Sequence, residues 1–190
     1  MLNDILKKCR SFRSFDPEKK IPEEKLLEFI DNARISAATR NSQPLKYRIV
    51  TSPEELARCN PELRYAASLG IKLPPDGHEA TSLIVICHDT DITPFTPIYL
   101  KDIGICAEVI MLSATEAGYG GCMIGSYNAE ALAKALSLSE NLMINLVLAL
   151  GVPDETAVLC EAEDGKVKYY RDENNVHYVP KRKLEDIIIK

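Results

Sequence analysis

One long apolar helix constrains the fold of this chain more than any other feature of its sequence. Between Asp102 and Tyr119 almost every position is apolar, and a glycine-rich segment follows directly. A helix that is apolar nearly all round has to be covered on all sides, either by its own domain or by a second subunit. Glu108 and Glu116 interrupt the run, which makes it a poor membrane span but an ordinary buried helix. We expect the helix to begin at Asp102, whose side chain suits an N-terminal cap.

Shorter segments predict the remaining helices and strands. Ser82–Cys87 is a continuous apolar run of strand length, which we expect to be buried on both faces. Asp164-Gly165 is the strongest short hairpin signal and predicts a hairpin over Ala157–Tyr170. The other predicted helices are Leu2–Cys9, a helix from Pro22 to the small residues 36–39, two short helices within Pro53–Leu69 broken at Pro61, and Ala129–Leu136. The other predicted strands are Tyr47–Thr51 and Met143–Leu150. We also predict an apolar link at Cys122–Ile124 and a terminal strand or arm at Leu184–Ile189.

The composition indicates one acidic globular domain. The 190 residues are 46% hydrophobic, enough for one well-filled core, so we predict a single domain over residues 1–190. The 23 basic residues are outnumbered by 28 acidic ones. This balance argues against a nucleic-acid partner, because binding to a phosphate backbone needs a broad basic surface. No basic region precedes an apolar run at the N-terminus, so we expect neither a signal peptide nor a membrane partner.

Cysteine and histidine usage predicts a protein that lies in a reducing compartment and has no metal site. The six Cys show no CxxC pair and no regular spacing, which is typical of reduced thiols in a cytoplasmic protein. The three His are isolated from one another and from carboxylates at zinc-like spacings, so we expect no metal. Cys122 has no basic neighbour in sequence that would lower its pKa, and we interpret it as a small core residue.

Two local concentrations of positive charge stand out against the net charge of −5. Arg10-Ser11-Phe12-Arg13 lies near the start of the chain, and Lys181-Arg182-Lys183 lies near its end. Arg presents a planar fork of donors to phosphate oxygens, Lys adds a point charge and the Ser hydroxyl can donate, so both clusters suit a phosphate. Taken alone, such runs are usually just solvated. Alternation along an extended chain separates Arg182 from its two neighbours, so we do not expect all three to bind.

Two further segments carry groups suited to a planar ligand. Asn41-Ser42-Gln43-Pro44 offers amide donors and acceptors for the edge of a heterocycle, although a turn before Pro44 explains the same residues. Gly120 and Gly121 permit close approach of a backbone, and tight packing of the preceding helix explains them equally well.

The order of these motifs resembles that of the nitroreductase family over essentially the whole chain. A first helix ends in Arg-Ser-x-Arg, a second leads into Asn-x-Gln-Pro, a long apolar helix ends in Gly-x-Gly-Gly-x-x-x-Gly, and a basic triplet lies near the C-terminus. The resemblance implies an α+β fold with a central, mainly antiparallel sheet flanked by helices. It also implies an intertwined homodimer that binds FMN between its subunits.

The resemblance further implies where each segment meets FMN. The first arginine and the serine hold phosphate and ribityl oxygens, the second arginine approaches the pyrimidine end of the ring, and the Asn-x-Gln loop arrives from the opposing subunit. The segment after the glycines passes the reactive N5 with a backbone N–H, and the C-terminal triplet grips the phosphate. The implied FMN contacts are Arg10, Ser11, Arg13, Asn41, Gln43, Met123, Ile124, Gly125, Ser126, Lys181, Arg182 and Lys183.

The implied activity is hydride transfer from NAD(P)H through FMN to a small acceptor such as a nitroaromatic or a quinone. Because the cofactor carries this chemistry, no protein nucleophile or acid–base pair is required. Two alternatives stay open: a branch of the family with another flavin chemistry, such as dehalogenation or dehydrogenation, and a non-enzymatic FMN carrier or redox sensor. One departure from the family pattern is Leu45, which follows Gln43-Pro44 where an aromatic residue is common.

Overall fold

A four-stranded antiparallel sheet with helices on both faces forms most of the molecule. The computed structural model describes residues 1–66 and 69–189. The strands of this sheet are β1 (Leu45–Val50), β2 (Ser82–Asp89), β3 (Gly120–Ile124) and β4 (Leu142–Gly151). The helices are α1 (Leu2–Lys8), α2 (Glu23–Arg34), α3 (Pro53–Cys59), α4 (Leu100–Glu116) and α5 (Ala129–Ala135).

The strands run in the order β1-β2-β4-β3, and each neighbouring pair is antiparallel. This arrangement confirms the predicted α+β class and the antiparallel sheet. It also makes β1 and β3 the two edges of the sheet, so the segments that precede β1 and follow β3 are separated by two strands.

Alternation along β2 divides the core into two layers, because successive side chains point to opposite faces. Ile84 and Ile86 lie in the cluster that includes residues of α2 and α4. Leu83 and Val85 lie in the other, which includes residues of α3 and α5. All eight residues of β2 are buried, as predicted, because helices cover both faces of the sheet.

The long helix α4 is shifted toward the N-terminus relative to its prediction. It begins at Leu100 and ends at Glu116, and Tyr99 occupies the N-cap position. The prediction that Asp102 caps the helix is therefore wrong. Asp102 lies within the first turn, and its carboxylate accepts hydrogen bonds from Thr39 instead. The helix is not covered on all sides within one chain, since Leu100 is 54% exposed.

The segment Cys122–Ile124, predicted as a link, belongs to strand β3. Two of the five β3 residues are glycines, which have low strand propensity and conceal the strand in the sequence. The two-helix prediction for Pro53–Leu69 is confirmed for α3 only. Pro61 lies in a short 3-10 turn, and residues 67 and 68 lie outside the described part of the chain.

The chain from Asp154 onward forms a second compact unit. Its sheet has the order β5 (Ala157–Glu161), β7 (His177–Lys181), β6 (Tyr170–Arg171), with β5 parallel to β7. The predicted hairpin is therefore wrong, because β7 lies between the two strands that the hairpin would have joined. Asp164 and Gly165 do adopt the positive φ angles of a tight turn, 50° and 70°. A turn signal alone does not decide which strands pair.

The C-terminal segment was predicted as a strand or an arm. Leu184–Asp186 forms a 3-10 turn, so the strand alternative is wrong for these residues, and Leu184–Ile189 is exposed. The single domain over residues 1–190 stays a prediction. Within the described residues, no helix is both long enough and apolar enough to span a membrane.

Candidate functional site

The predicted phosphate-binding segment lies along the free edge of β3. Ser11 forms a parallel bridge with Gly121, and the Phe12 N–H donates to the Gly121 carbonyl oxygen at 2.8 Å. The pairing brings Arg10–Arg13 beside the strand that leads into Gly125 and Ser126. Two segments that are far apart in sequence thus meet at one sheet edge.

The glycines of β3 make this close pairing possible. A Cβ atom on Gly120 would lie 2.5 Å from Pro153 Cγ and 2.6 Å from Phe12 Cδ2. One on Gly121 would lie 2.5 Å from the Ala149 carbonyl oxygen. Any larger residue would push the strand or its neighbours apart. Tight packing thus accounts for both glycines, but its closest contacts are with Phe12, Pro153 and strand β4, not with the preceding helix as predicted.

The two arginines of the segment have different surroundings. Arg10 is half-buried, and its Nη2 donates to the Leu6 carbonyl oxygen of α1 at 2.6 Å. Arg13 is only 8% exposed, and its Nη1 donates to the Ser11 carbonyl oxygen at 3.2 Å. Arg13 is consequently a fixed cation beside the β3 edge, whereas Arg10 presents part of its guanidinium to solvent.

The residues after β3 divide into buried and open positions. Ile124 is 2% exposed and packs in the core, which leaves only its backbone for a ligand, while Met123 is half-buried. Gly125 and Ser126 are exposed. A Cβ atom on Gly125 would meet nothing within 4 Å among the described residues, so the space beside its backbone is open to a ligand.

Arg64 is a cation at this edge that the sequence did not single out. Its backbone N–H donates to the Ser126 carbonyl oxygen at 3.0 Å, and the adjacent Leu63 bridges Tyr127. The Arg64 side chain is exposed. No local pattern reveals this placement, because it depends on pairing with a segment more than sixty residues away.

The Asn41–Gln43 loop presents both of its amides to solvent. Asn41 and Gln43 are exposed, and Gln43 Nε2 donates to Asn41 Oδ1 at 3.1 Å and to the Asn41 carbonyl oxygen at 3.3 Å. The turn interpretation also applies, since the loop passes through a 3-10 turn at Thr39–Asn41 before β1.

Within one chain, this loop and the β3 edge do not meet. The loop precedes β1 at one edge of the sheet, and the Arg10–Ser126 region lies at the other. Three strand spacings separate the edges, about 14 Å. The two regions also differ in position along the strands, since Leu45 lies in the row of His88 and Met143, whereas Gly121 lies in the row of Leu150 and Ser82.

A cavity of about 170 Å³ lies beneath the loop, between α2, β1 and α4. Gln43, Tyr47, Asp102 and Cys106 are among its lining residues. Burial raises the pKa values of the Tyr47 hydroxyl and the Cys106 thiol, so both groups are neutral at physiological pH. The charged side chains among its lining residues are therefore those of Arg34 and Asp102.

A cavity of about 590 Å³ lies elsewhere, between α3 and residues 72–81. Leu56, Leu63 and Leu73 are among its lining residues. None of the predicted FMN contacts lies among the described residues that line it. The volume of a cavity is therefore no guide to the flavin site in a single chain.

The basic triplet belongs to the second compact unit. Lys181 ends β7, and Lys181, Arg182 and Lys183 are all exposed. Lys183 Nζ lies 3.2 Å from Glu161 Oε1, and this carboxylate offsets part of its charge. Lys183 thus has a competing anionic partner among the described residues of its own unit.

Several known proteins are similar to this chain in sequence or in fold. A protein of Archaeoglobus fulgidus, provisionally named NADH dehydrogenase/NAD(P)H nitroreductase, is 27% identical over 160 residues, which are 82% of this chain and 87% of that protein. A nitroreductase family protein from Clostridium novyi superposes with a TM-score of 0.69 at 24% identity, covering 95% of this chain and 94% of the other. A structure from Exiguobacterium sibiricum, described as a nitroreductase in complex with FMN, superposes with a TM-score of 0.68 at 18% identity, covering 82% and 89%.

The family assignment follows from the sequence as a whole. The sequence profile of the nitroreductase family matches residues 6–76 and 75–152, which together are more than half of the chain. This match includes the Arg10–Arg13 segment, the Asn41–Gln43 loop, the long helix and β3. The chain belongs to the nitroreductase family.

Proposed function

We propose that this protein is an FMN-dependent oxidoreductase that transfers hydride from NAD(P)H to a small acceptor, such as a nitroaromatic or a quinone. The observation that carries the proposal is the pairing of Ser11 with Gly121, which brings Arg10, Ser11 and Arg13 beside strand β3, and β3 leads into the exposed Gly125 and Ser126. One sheet edge thereby combines a grip for an anion with a backbone that a flat ring can approach.

The residues at this edge fit FMN. Arg10 Nε is buried and has no hydrogen-bond partner among the described residues, so it is a donor left over for a ligand. The Ser11 hydroxyl and the guanidinium of Arg10 match phosphate and ribityl oxygens. Lys181, Arg182 and Lys183 belong to the second unit, and their contact with the phosphate stays a prediction. Gly125 leaves room for close approach of a ring.

FMN, when bound, supplies a two-electron carrier at N5 that accepts hydride from NAD(P)H and passes the electrons on to the acceptor. The chain contributes position and charge. Arg13, held against the Ser11 carbonyl, provides a fixed positive charge that favours the more negatively charged reduced state. Gly125 and Ser126 are exposed, and in our proposal reductant and acceptor occupy the space beside them in turn, which would give ping-pong kinetics.

We further propose that the functional unit is an intertwined homodimer. The Asn41–Gln43 loop and the β3 edge lie at opposite edges of one sheet, so both reach one flavin only when a second copy supplies the loop. A single chain also leaves extensive apolar surface exposed, which favours association. The exposed large apolar side chains include Leu2, Leu6, Leu100, Ile105, Leu184, Ile187, Ile188 and Ile189.

The visible spectrum of the purified protein tests the cofactor. We expect a yellow protein that releases a flavin with one phosphate on denaturation. The matched variant Arg10→Ala should retain less FMN through purification. A colourless protein that cannot be reconstituted with FMN would overturn the proposal.

Steady-state assays test the reaction and separate it from flavin storage. With FMN bound, we expect oxidation of NADH or NADPH that depends on added quinone or nitroaromatic, with parallel lines in double-reciprocal plots. A flavin-loaded protein that does not oxidise either nucleotide would favour the carrier alternative. Sedimentation at micromolar concentration checks the dimer, and a stable flavin-loaded monomer would contradict it.

A further inference from the structure

The Thr39–Gln43 loop adopts a backbone conformation that needs support. Arg40, Asn41 and Gln43 have φ angles of 54°, 54° and 49°. Side chains other than glycine enter this left-handed region at a steric cost, although asparagine tolerates it better than most. Three such residues within four positions do not hold this shape by local preference, so contacts from elsewhere must stabilise it.

The first support is the carboxylate of Asp102, which is 3% exposed. The Thr39 backbone N–H donates to Asp102 Oδ2 at 2.9 Å and to Oδ1 at 3.1 Å, and Thr39 Oγ1 donates to Oδ1 at 2.7 Å. Hydrogen bonds to a buried carboxylate are stronger than those between neutral groups. They hold the start of the loop against the first turn of α4.

The second support is the hydroxyl of Tyr99, which is 4% exposed and directly precedes α4. It hydrogen-bonds with Thr93 Oγ1 at 3.3 Å, and its interactions with the side chains of Thr93 and Ser42 lower the pKa of Tyr99. The Tyr99 ring packs on His88 with centroids 5.0 Å apart. Ser42 lies between Asn41 and Gln43, so this contact fixes the end of the loop.

We propose that Asp102 and Tyr99 are positioning residues that hold the amides of Asn41 and Gln43 in the orientation in which they meet the flavin. The inference rests on the proposed function for the contact with FMN. It extends that function to two residues of α4 and its N-cap, neither of which was among the predicted FMN contacts. The amide–amide hydrogen bond between Gln43 and Asn41 completes the arrangement, because it aligns both side chains once the backbone is fixed.

Three substitutions separate positioning from general stability. Thr39→Val removes one hydroxyl donor and keeps the size of the side chain and its N–H. Tyr99→Phe removes the hydroxyl that interacts with the Ser42 side chain. Asp102→Asn removes the charge and is the variant most prone to misfold, so the two hydroxyl deletions keep the inference testable. Thr115→Val is the matched control, since Thr115 Oγ1 donates within α4 to the Met111 carbonyl oxygen, away from the loop.

Two measurements are compared for each variant of the full-length protein. Amide hydrogen exchange over residues 39–43, followed by mass spectrometry without added FMN, reports the loop itself. Fluorescence titration gives the dissociation constant for FMN. We expect exchange in the loop to rise and FMN binding to weaken by about three- to tenfold for each hydroxyl deletion, and by more for Asp102→Asn. Thr115→Val should change neither.

The outcomes separate this inference from the proposed function. If wild-type protein binds FMN and the two hydroxyl deletions leave loop exchange or FMN affinity at the wild-type value, the positioning role is overturned. If wild-type protein does not bind FMN, the proposed function fails and the inference falls with it. Faster loop exchange together with weaker FMN binding in both hydroxyl deletions, but not in Thr115→Val, supports the inference.

Discussion

The Arg10–Arg13 segment and the Thr39–Gln43 loop carry most of the polar groups of the candidate site in the first unit, yet they are held by different forces. Main-chain pairing to β3 holds the first, through the Ser11 bridge and the hydrogen bond to Gly121. Side chains of Asp102 and Tyr99 hold the second. The first segment should therefore respond to changes in backbone packing, and the second to deletion of single polar atoms.

Gly121→Ala should have the largest effect, because it disrupts the backbone packing between β3 and its neighbours, on which the Arg10–Arg13 segment depends. The added methyl group would lie 2.5 Å from the Ala149 carbonyl oxygen, which belongs to a central strand and cannot move freely. We expect the free energy of unfolding to fall by about 3 kcal/mol, with loss of FMN binding. Chemical denaturation measures this change.

Gly125→Ala is the matched control, since a methyl group there meets no described atom within 4 Å. It should keep the wild-type free energy of unfolding. Unchanged stability in Gly121→Ala would show that β3 and its neighbours can separate. It would contradict the conclusion that backbone packing holds the Arg10–Arg13 segment.

Arg13→Ala should alter the flavin without unfolding the protein. Its charge interacts more strongly with reduced FMN than with oxidised FMN, so the midpoint potential should fall and reduction by NAD(P)H should slow. Redox titration under saturating FMN measures the shift. Arg10→Ala is the matched variant. It should weaken binding of both redox states by a similar factor, about tenfold or more, and leave the potential nearly unchanged. Equal potentials in Arg13→Ala and wild type would place Arg13 away from the ring.

Gly104→Ala should have a smaller effect and tests whether stiffness of α4, rather than its polar side chains, holds the second loop. A methyl group at Gly104 meets no described atom within 4 Å, and alanine favours a helix interior. We expect the free energy of unfolding to rise by about 1 kcal/mol. The dissociation constant for FMN should stay at the wild-type value. Tighter FMN binding would instead indicate that the stiffness of α4 holds the loop.

Thiol modification should have the smallest effect, although a buried cysteine lies near each segment. Cys9 precedes Arg10, and Cys106 lines the cavity beneath the second loop. Burial raises the pKa values of both thiols, and that of Cys87 to about 11. These groups stay protonated and unreactive at pH 8. We expect rapid alkylation at half-buried Cys160 alone, which mass spectrometry of the labelled protein measures. The rate of NAD(P)H oxidation by the labelled protein should be unchanged. Rapid labelling of Cys9 or Cys106 would contradict the packing described for these regions.

Local patterns in the sequence predicted the elements that are stabilised by burial. The continuous apolar run at Ser82–Cys87 predicted β2 because a strand covered on both faces needs no polar positions. The motifs for the first segment and the loop were also visible, since each uses residues that are close in sequence. The antiparallel sheet followed from the family resemblance and is confirmed by the register of β2 with β1 and β4.

The features that the sequence did not predict all depend on distant partners. Asp102 looked like a helix cap because its own neighbours suit one, yet its carboxylate bonds Thr39, 63 positions away. β3 was hidden by its two glycines, whose role is apparent only once Phe12 and Ala149 are packed against them. The Asp164-Gly165 turn forms, but β7 takes the place of the expected hairpin partner.

Before the chain folds, β2 is an aggregation-prone segment. Leu83–Cys87 combines high β-propensity with neither charge nor proline, which is the composition of cross-β assemblies. Its two partners are distant in sequence, and β4 emerges from the ribosome well after β2. A nascent chain therefore exposes this strand until Leu142–Gly151 has been made. Lower growth temperature, which weakens apolar association, should increase the soluble yield of this protein.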